Sequence, residues 1–430
     1  MLSRFLWVWI AYWVVVWLLP VSSIYEAKME AFLLQVVFVL LVFISMLVVL
    51  AASGVRVPPA RSIRIPGAES IAWIGLALSV AGFAALLFDK IYIQGVDYSD
   101  GISVAREQWR RLGEDRAGQA SSWFSAFGYL AGSFYFVSAV LACTQLSTVR
   151  SRSRFWLLVL SFVLLMANAV LTGGRSNILL MGAFLLAAVG LYRGIRIREI
   201  LSRVSQRLLI RVTVLAAVAY TVAVFYFRAE AGGTVALSYY VFSFLPYLGL
   251  HPTPDLIDFA ERNVFADLGS SLVLALSYLT HSFSTTAAIV EHGVEDKTVV
   301  FIHASNLLYK VGLMSAPESD WFLAGRFPSL PGALWLQFGW LGFATTSVVL
   351  GVLSALVRVW QVTSPERLLP MAVSIGIESV LILSPALVAV DVLSFPFVMF
   401  AFVSCAVFQS LVRDFGRRPT RIASQQSGVH

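Results

Sequence analysis

The sign of the charged loops alternates along this chain. Arginines fill every second gap between long apolar runs, whereas the gaps between those are acidic or mixed. Membrane proteins retain Lys and Arg in their cytoplasmic loops, so this alternation predicts a chain that crosses a bilayer many times with the arginine-rich gaps inside. On that assignment the inner segments hold 19 basic and 4 acidic residues, and the outer segments hold 12 basic and 19 acidic residues. The clearest inner gaps contain Arg56, Arg61 and Arg64, then Arg150, Arg152 and Arg154, then Arg193, Arg196, Arg198, Arg203, Arg207 and Arg211.

Composition excludes the common water-soluble classes. The 430 residues are 59% hydrophobic and 13% charged, whereas a soluble domain carries about 25% charged residues. The net charge of +7 does not indicate a nucleic-acid partner, because most of the basic residues lie in inner loops, where they face anionic lipid headgroups. Cys143 and Cys405 lie inside apolar runs, which indicates neither a disulfide framework nor a thiol metal site.

Ten apolar runs are long enough for membrane spans, since a helix needs about 17 to 25 residues to cross the hydrocarbon core. We therefore predict an all-α polytopic fold with 10 to 12 transmembrane helices and both termini in the cytoplasm. The first run reads as an uncleaved anchor, because no small-residue cleavage site follows Pro20. The predicted spans lie near residues 5–22, 31–52, 70–88, 123–146, 155–171, 177–192, 209–227, 332–357, 368–390 and 393–412.

Two outer segments are long. The first, 89–122, has mixed charges that suit a short surface helix. The second contains two further apolar stretches, 235–250 and 268–290, joined by an acidic connector. If both stretches crossed the membrane, that connector would be cytoplasmic, against the charge rule. We therefore expect re-entrant or membrane-surface helices there. The chain divides into seven N-terminal spans (1–227), this outer helical region (228–331), and three C-terminal spans with a basic tail (332–430).

The stretch 268–290 is apolar but rich in hydroxyl groups. Its residues Tyr278, His281 and Thr285 follow a spacing of three and seven, which puts them on one helical face. We expect that face to line a polar cavity, with His281 as a general base and Tyr278 as a residue that orients the substrate. In the alternative reading, the Ser and Thr side chains bond back to helical carbonyls and His281 is a satisfied buried histidine.

Arg175 stands in the sequence TGGRSN, between two predicted spans at the outer side. Two glycines allow a sharp turn and close approach of the backbone to a ligand. The next helix begins at Ser176 and Asn177, so its N-terminal amides and the guanidinium can point at one anion, such as a diphosphate. The alternative is an ordinary turn whose arginine extends to the membrane interface.

Other ionisable residues complete the set of candidates. Arg228, followed by Glu230, ends a predicted span, and Arg326 precedes the span that opens with FPSLPGALWLQFGWLG. An arginine fork binds phosphate oxygens in pairs, although single arginines at this level are more often headgroup anchors. His303 flanks the polar helix and is a further candidate base. Glu378 lies inside a span, which indicates either a functional carboxyl or the partner of a buried arginine. The chain has no zinc-type spacing, P-loop or GxSxG elbow, so we expect neither a metal nor a cofactor.

These motifs together resemble a known family. The order of TGGRSNILL, then YLTHSFS on a polar helix, then Arg326 with FPSLPGALWLQFGWLG is similar to that of bacterial O-antigen polymerases of the Wzy type, the oligosaccharide repeat unit polymerases. The resemblance covers residues 165–345 by motif and the remainder by topology. The chain departs from the family in having one large outer loop rather than two, without the paired arginine motifs described for some members.

The resemblance implies a glycosyltransferase of GT-C type at the periplasmic face of the bacterial inner membrane. Such enzymes transfer a glycan from undecaprenyl diphosphate onto a single lipid-linked repeat unit, and they work with a chain-length regulator protein. Their dependence on outer arginines maps to Arg175 and, by position, to Arg228 and Arg326. The assignment of His281 as base comes from the polar helix and not from a family motif.

Two other functions remain open at this stage. An O-antigen ligase transfers the same lipid-linked glycan onto the lipid A core and also uses outer arginines and a histidine. A lipid flippase or secondary transporter would also be polytopic and basic inside. Transporters usually have inverted halves and charges near the membrane midplane, whereas here Glu378 is the only charge deep in a predicted span.

Overall fold

A computed structural model describes most of the chain, and its described part is almost entirely helical. This confirms the all-α prediction. Seven of the described helices are long and apolar enough to cross a membrane, and three shorter apolar helices accompany them, as in a multi-pass membrane protein. The predicted span 209–227 lies outside the described residues. These are 2–55, 65–99, 101, 104–105, 108–109, 111–112, 122–144, 152–172, 176–191, 237–263, 265–293 and 326–426.

The helices are numbered here in chain order. In the first half they are α1 Leu2–Leu18, α2 Lys28–Ala52, α3 Ala68–Phe88, α4 Trp123–Gly132, α5 Tyr135–Thr144, α6 Arg152–Thr172 and α7 Ser176–Leu191. In the second half they are α8 Leu237–Phe244, α9 Pro254–Arg262, α10 Ala266–His292, α11 Leu330–Thr363, α12 Leu368–Leu383 and α13 Ser394–Gln426. Single turns at Asp89–Ile93 (π), Pro246–Leu248 and Ala389–Asp391 (both 3₁₀), and the strands β1 Val21–Ser23 and β2 Leu250–Pro252, complete the described elements.

The packing of α1, α2 and α11 agrees with the predicted directions. Helices α1 and α2 are antiparallel, because Trp9 packs 6.0 Å from Phe38 and Trp17 packs 6.4 Å from Phe32, ring centre to ring centre. Helices α2 and α11 run the same way, since Phe38 contacts Phe343 and, further along both helices, Ser45 contacts Gly351. This parallel pairing is the arrangement expected if both helices begin at the outer side.

Gly351 explains how closely α2 and α11 approach each other. A Cβ atom at this position would lie 1.9 Å from the hydroxyl oxygen of Ser45 and 2.5 Å from the carbonyl oxygen of Val42. Only glycine fits such a contact between backbones, which is a common way to pack helices in membranes. Helix α11 is also interrupted at Gly339, where φ is 62°, so the predicted span 332–357 is two helical pieces within Leu330–Thr363.

The predicted span at 123–146 corresponds to Trp123–Thr144, which is long and apolar enough to cross a membrane, but it is not one continuous helix. The structure has two ten-residue helices there, α4 and α5, separated by a break at Ser133 and Phe134. Helix α3 lies against the end of α4 so closely that a Cβ on Gly82 would be 2.3 Å from the amide nitrogen of Gly132. The sequence pattern could not show this break, because it accompanies a contact between segments 50 residues apart. Similarly, α12 ends at Leu383, before the predicted end at residue 390.

The outer region contains short elements. Strands β1 and β2 pair antiparallel, with Ser22 opposite His251. Helix α8 has eight residues and a length of about 12 Å at 1.5 Å per residue, too short to cross a core of about 30 Å. The stretch predicted at 235–250 therefore does not cross the bilayer as one helix within its described part, residues 237–250. This agrees with the expected re-entrant or surface placement.

Helix α10 is long enough to span, but both of its ends contact segments that the charge pattern puts outside. Near its start, Gly269 lies against the ring of Phe259 in α9. Thr253, which precedes α9, donates two hydrogen bonds to the carbonyl of Pro20 at the outer end of α1. Near its end, Glu291 accepts the backbone N–H groups that lead into α2. By length and apolarity α10 is one of the seven helices that could cross a membrane, so the re-entrant or surface course expected from the charge pattern stays a prediction.

Candidate functional site

His281 is buried, and both of its ring nitrogens have partners within the protein. The Nδ1 atom lies 2.6 Å from the carbonyl oxygen of Tyr278, and Nε2 lies 3.0 Å from the backbone nitrogen of Phe327. A backbone N–H can only donate, so Nε2 is the acceptor and Nδ1 carries the proton. The imidazole is therefore neutral and ties α10 to the segment before α11. This geometry supports the satisfied-histidine reading, and the role of His281 as general base stays a prediction.

Several hydroxyl groups near His281 have structural partners, whereas those of Ser277 and Thr285 are buried without one. Thr280 and Thr286 bond to carbonyls four residues earlier in α10, at 2.9 Å and 2.7 Å, as the alternative reading expected. Ser282 bonds instead across the fold to Pro385 and Tyr12. The ring of Tyr278 packs beside the small apolar cluster formed by α8, β2 and α9. These groups mainly join helices to one another.

Arg326 is enclosed by backbone carbonyls and a tyrosine. Its guanidinium donates to Tyr247 O, to Pro246 O at 3.1 Å and to the hydroxyl of Tyr25 at 2.8 Å. Gly249, with φ of 75°, leaves room for it, because a Cβ there would lie 3.0 Å from Nη1. We call these five residues the arginine cluster. The hydrogen bonds of the guanidinium therefore connect the segment before α11 to the β1–α2 connection and to the turn at Pro246 and Tyr247.

Glu378 is paired with an arginine inside the bundle. Arg4 Nη1 lies 2.6 Å from Glu378 Oε1 and also donates to Leu186 O at 3.2 Å. Gly190 allows the guanidinium to lie on the backbone of α7, since a Cβ there would be 1.2 Å from Nη1. Of the two roles considered for Glu378, this contact supports the partner of a buried arginine. It pins α1, α7 and α12 together.

Four predicted site residues lie outside the described residues, so the structure says nothing of them. They are Arg175, Arg228, Glu230 and His303. The residues on either side of the Gly173–Arg175 turn are described, however, and they lead to a site that the sequence reasoning did not find.

A cavity of about 240 Å³ opens between six helices. Its walls come from the end of α3, the second half of α4, the start of α5, the end of α6, the start of α7 and the start of α13. The charge-based topology places the ends of α3 and α6 and the starts of α7 and α13 on the outer side. We call this space the outer cavity. Its polar and aromatic lining residues are Trp109, Tyr129, Ser133, Tyr135, Phe136, Asn168, Thr172, Ser176, Asn177, Ser394 and Phe397.

Several polar groups of the outer cavity lack partners among the described residues. Asn168 is 5% exposed; its amide nitrogen donates to Leu164 O, but its side-chain oxygen accepts no hydrogen bond there. The hydroxyl of Ser394 is buried without a partner. The side chains of Ser176 and Asn177 and the hydroxyl of Tyr129 make no described hydrogen bond either. Buried polar groups are normally satisfied, and of the buried unpartnered atoms among the described residues only the Ser394 hydroxyl lines this cavity. Together with the Asn168 oxygen and the partly exposed groups, it gives the cavity polar atoms that are available to a ligand.

Two adjacent charged residues hold one wall of the outer cavity. Asp89 and Lys90 are 0% and 1% exposed, at the outer end of α3. The ammonium of Lys90 lies 3.7 Å from the ring centre of Trp109, a cation–π contact that fixes this lining side chain. Asp89 accepts hydrogen bonds from Ser122 and Gln94.

The same segment anchors the last turn of α6. Leu171 O accepts from both Lys90 Nζ at 2.9 Å and the hydroxyl of Tyr98 at 3.0 Å. Burial raises the pKa of Tyr98, so this hydroxyl keeps its proton as a donor. The two bonds therefore hold the end of α6 just before the TGGRSN segment.

The sequence held two signals for this site. Asn168 is an amide inside an apolar run, which is costly in a membrane without a function or partner. Asp89 and Lys90 follow directly after a predicted span. Neither signal shows that the residues meet, because the walls come from helices far apart in the chain.

The structure does not bring Arg326 to the outer cavity. The arginine cluster shares no residue with the cavity lining. Within the described ranges, no three His, Cys, Asp or Glu side chains come together as a metal site. Comparison of the chain with models of protein families, with curated proteins and with solved structures found no match.

Proposed function

We propose that the chain is a metal-independent membrane glycosyltransferase that polymerises undecaprenyl-diphosphate-linked oligosaccharide repeat units into O-antigen polysaccharide. It would act at the periplasmic face of the bacterial inner membrane, with a chain-length regulator as a partner protein. The observation that carries this proposal is the outer cavity. Thr172 and Ser176, the described residues on either side of Gly173–Arg175, both line it.

The cavity suits glycan chemistry. Its lining combines amides and hydroxyls, which donate and accept hydrogen bonds, with aromatic rings and no charged side chain. The hydroxyl groups of a sugar can bond to the amides and hydroxyls, and its apolar ring faces can pack on the aromatic rings. A diphosphate instead needs positive charge, which Arg175 supplies next to the cavity together with the amides at the start of α7.

The reaction follows from that division of roles. The bond between the anomeric carbon and the diphosphate oxygen breaks, and an acceptor hydroxyl oxygen forms the new bond to that carbon. The acceptor proton leaves to a base, and undecaprenyl diphosphate departs as an anion. A guanidinium at the TGGRSN turn stabilises the developing charge on the leaving group. The base proposed from the sequence is His281, which would first have to release the N–H of Phe327.

A reconstituted assay tests the proposal. The purified protein, in detergent and without added metal, should convert lipid-linked repeat units into a ladder of longer glycans. Absence of any ladder under these conditions would count against a polymerase. In cells, loss of a polymerase leaves lipopolysaccharide capped with one repeat, whereas loss of a ligase leaves none, so a deletion strain separates these two functions.

A further inference from the structure

The free polar groups of the outer cavity converge from different helices. Asn168 belongs to α6, Asn177 to α7, Tyr129 to α4 and Ser394 to α13. An amide supplies both an acceptor oxygen and a donor nitrogen, and a hydroxyl does both at one atom. The side-chain oxygen of Asn168 can only accept, so a ligand that satisfies all four groups must include a hydrogen-bond donor as well as acceptors. The ring hydroxyls of a sugar provide both, whereas a phosphate group only accepts from these side chains.

The aromatic part of the lining suits the same ligand. Tyr129 and Phe397 stack with ring centres 5.8 Å apart and an angle of 23° between the rings. Trp109 forms another wall, held by Lys90. Small-molecule pockets typically combine such apolar surfaces with a few placed polar groups.

Size and position limit which sugar can enter. The volume of about 240 Å³ is below the range of roughly 300 to 1,000 Å³ for drug-sized ligands, so the cavity suits one ring rather than a whole repeat unit. Ser176 lines the cavity, and Arg175 is its neighbour in the chain. If Arg175 holds the diphosphate, as the proposed function has it, the attached sugar is close to the cavity that Thr172 and Ser176 line.

We infer that the outer cavity binds the sugar ring attached directly to the carrier diphosphate, through Asn168, Asn177 and the hydroxyl of Tyr129. The inference rests on the proposed function for the identity of the carrier. It makes the cavity the part of the protein that selects the first sugar of the repeat unit, separate from the arginine that holds the diphosphate.

Paired ligands test this separation in the full-length protein in detergent. The probes are farnesyl diphosphate and the same lipid carrying one glucose, galactose, N-acetylglucosamine or N-acetylgalactosamine, with affinity measured by titration calorimetry. At least one sugar-bearing probe should bind about tenfold more tightly than the sugar-free lipid. Asn168→Leu and Asn177→Ala should remove that difference and leave the affinity for the sugar-free lipid unchanged.

Two further variants show whether a loss of sugar preference is caused by instability or by the removal of any buried polar group. Tyr129→Phe removes only the hydroxyl and should reduce the sugar preference about threefold, even if an asparagine variant is unstable. Ser161→Ala removes another buried, unpartnered polar group of α6 that is not in the cavity lining, and it should keep the full preference. The inference is overturned if no sugar improves binding, or if the cavity variants weaken both kinds of lipid equally.

The outcomes also separate this inference from the proposed function. A sugar preference that depends on Asn168 in a protein that makes no ladder would support the cavity assignment and count against polymerisation. A protein that makes ladders but shows no such preference would retain the proposed function and exclude the cavity as the sugar site.

Discussion

The outer cavity and the arginine cluster differ in how their polar groups are used. In the arginine cluster, Arg326 donates to two carbonyls and a tyrosine hydroxyl, and nearby His281 has a partner at each ring nitrogen. In the outer cavity, the side-chain oxygen of Asn168 and the hydroxyl of Ser394 have no partner among the described residues.

We expect this difference to help separate structural from ligand-binding polar groups where the unpartnered group lines a cavity, since other unpartnered groups, such as the hydroxyls of Ser277 and Thr285, do not line it. An arginine or histidine attracts attention in a sequence because its chemistry is versatile. Once its hydrogen bonds are occupied by the protein, however, it must break them before it can bind or react, at a cost of about 1 to 3 kcal/mol for each buried group left without a partner. Unpartnered amides and hydroxyls carry no such cost.

Removal of the guanidinium at the TGGRSN turn should have the largest effect. Arg175→Ala should lower ladder formation by about 100-fold or more, as expected for a group that stabilises a leaving anion, while the protein stays folded. The readout is chain-length distribution on gels with purified protein. Arg152→Ala, at the opposite end of α6, serves as a control and should leave the ladder unchanged. A near-normal ladder from Arg175→Ala would remove this residue from the site.

Asn168→Leu tests the cavity side of the comparison. The leucine fills similar space without an unpartnered oxygen, so the midpoint of thermal unfolding should stay the same or rise, whereas turnover should fall about tenfold. Activity and unfolding are measured on the same detergent-purified sample. If the variant loses stability and activity together, Asn168 is a structural residue and the contrast between the two regions fails at this position.

The fold could be predicted from the sequence where one local pattern determines it. Helices such as α2 and α6 begin and end within a few residues of the predicted spans. A long apolar run between charged gaps has few stable structures other than a helix across the membrane. The break after α4 and the kink at Gly339 were not predicted, because they depend on backbone contacts or on one glycine's conformation. The pairing of β1 with β2 joins segments more than 200 residues apart, beyond the reach of any local pattern.

The site was predictable only in part for a related reason. TGGRSN is a local motif, so it could be recognised as a candidate site from the sequence alone. The cavity needs α3, α4, α5, α6, α7 and α13 to meet, which no sequence spacing encodes. The polar row on α10 was visible in the sequence, but Phe327, the partner of His281, lies elsewhere in the chain, and the buried, unpartnered state of Thr285 is not encoded in the spacing either.

Arg326→Met should affect stability more than chemistry. The carbonyls of Pro246 and Tyr247 lose a charged donor, and we expect the free energy of unfolding to fall by roughly 2 kcal/mol. Arg326→Lys should recover only part of this, because an ammonium cannot reproduce the guanidinium fork. Thermal unfolding followed by intrinsic fluorescence measures the loss. A stable Arg326→Met protein without ladder activity would instead support a role for Arg326 in binding the diphosphate. The contrast with the outer cavity would then be weaker.

His281→Gln should have the smallest effect of these variants. A glutamine retains one acceptor and one donor, so it can replace part of the link between the Tyr278 carbonyl and the Phe327 N–H. We expect the free energy of unfolding to fall by about 1 kcal/mol relative to the unchanged protein. His281→Ala, which leaves the Phe327 N–H without an acceptor, should lose about twice as much. Because glutamine cannot take up a proton near neutral pH, unchanged turnover in folded His281→Gln would exclude His281 as the general base. If turnover were abolished while stability stayed unchanged, His281 would have to release its hydrogen bonds during the reaction. Satisfied hydrogen bonds in the resting structure would then not be enough to identify a structural residue.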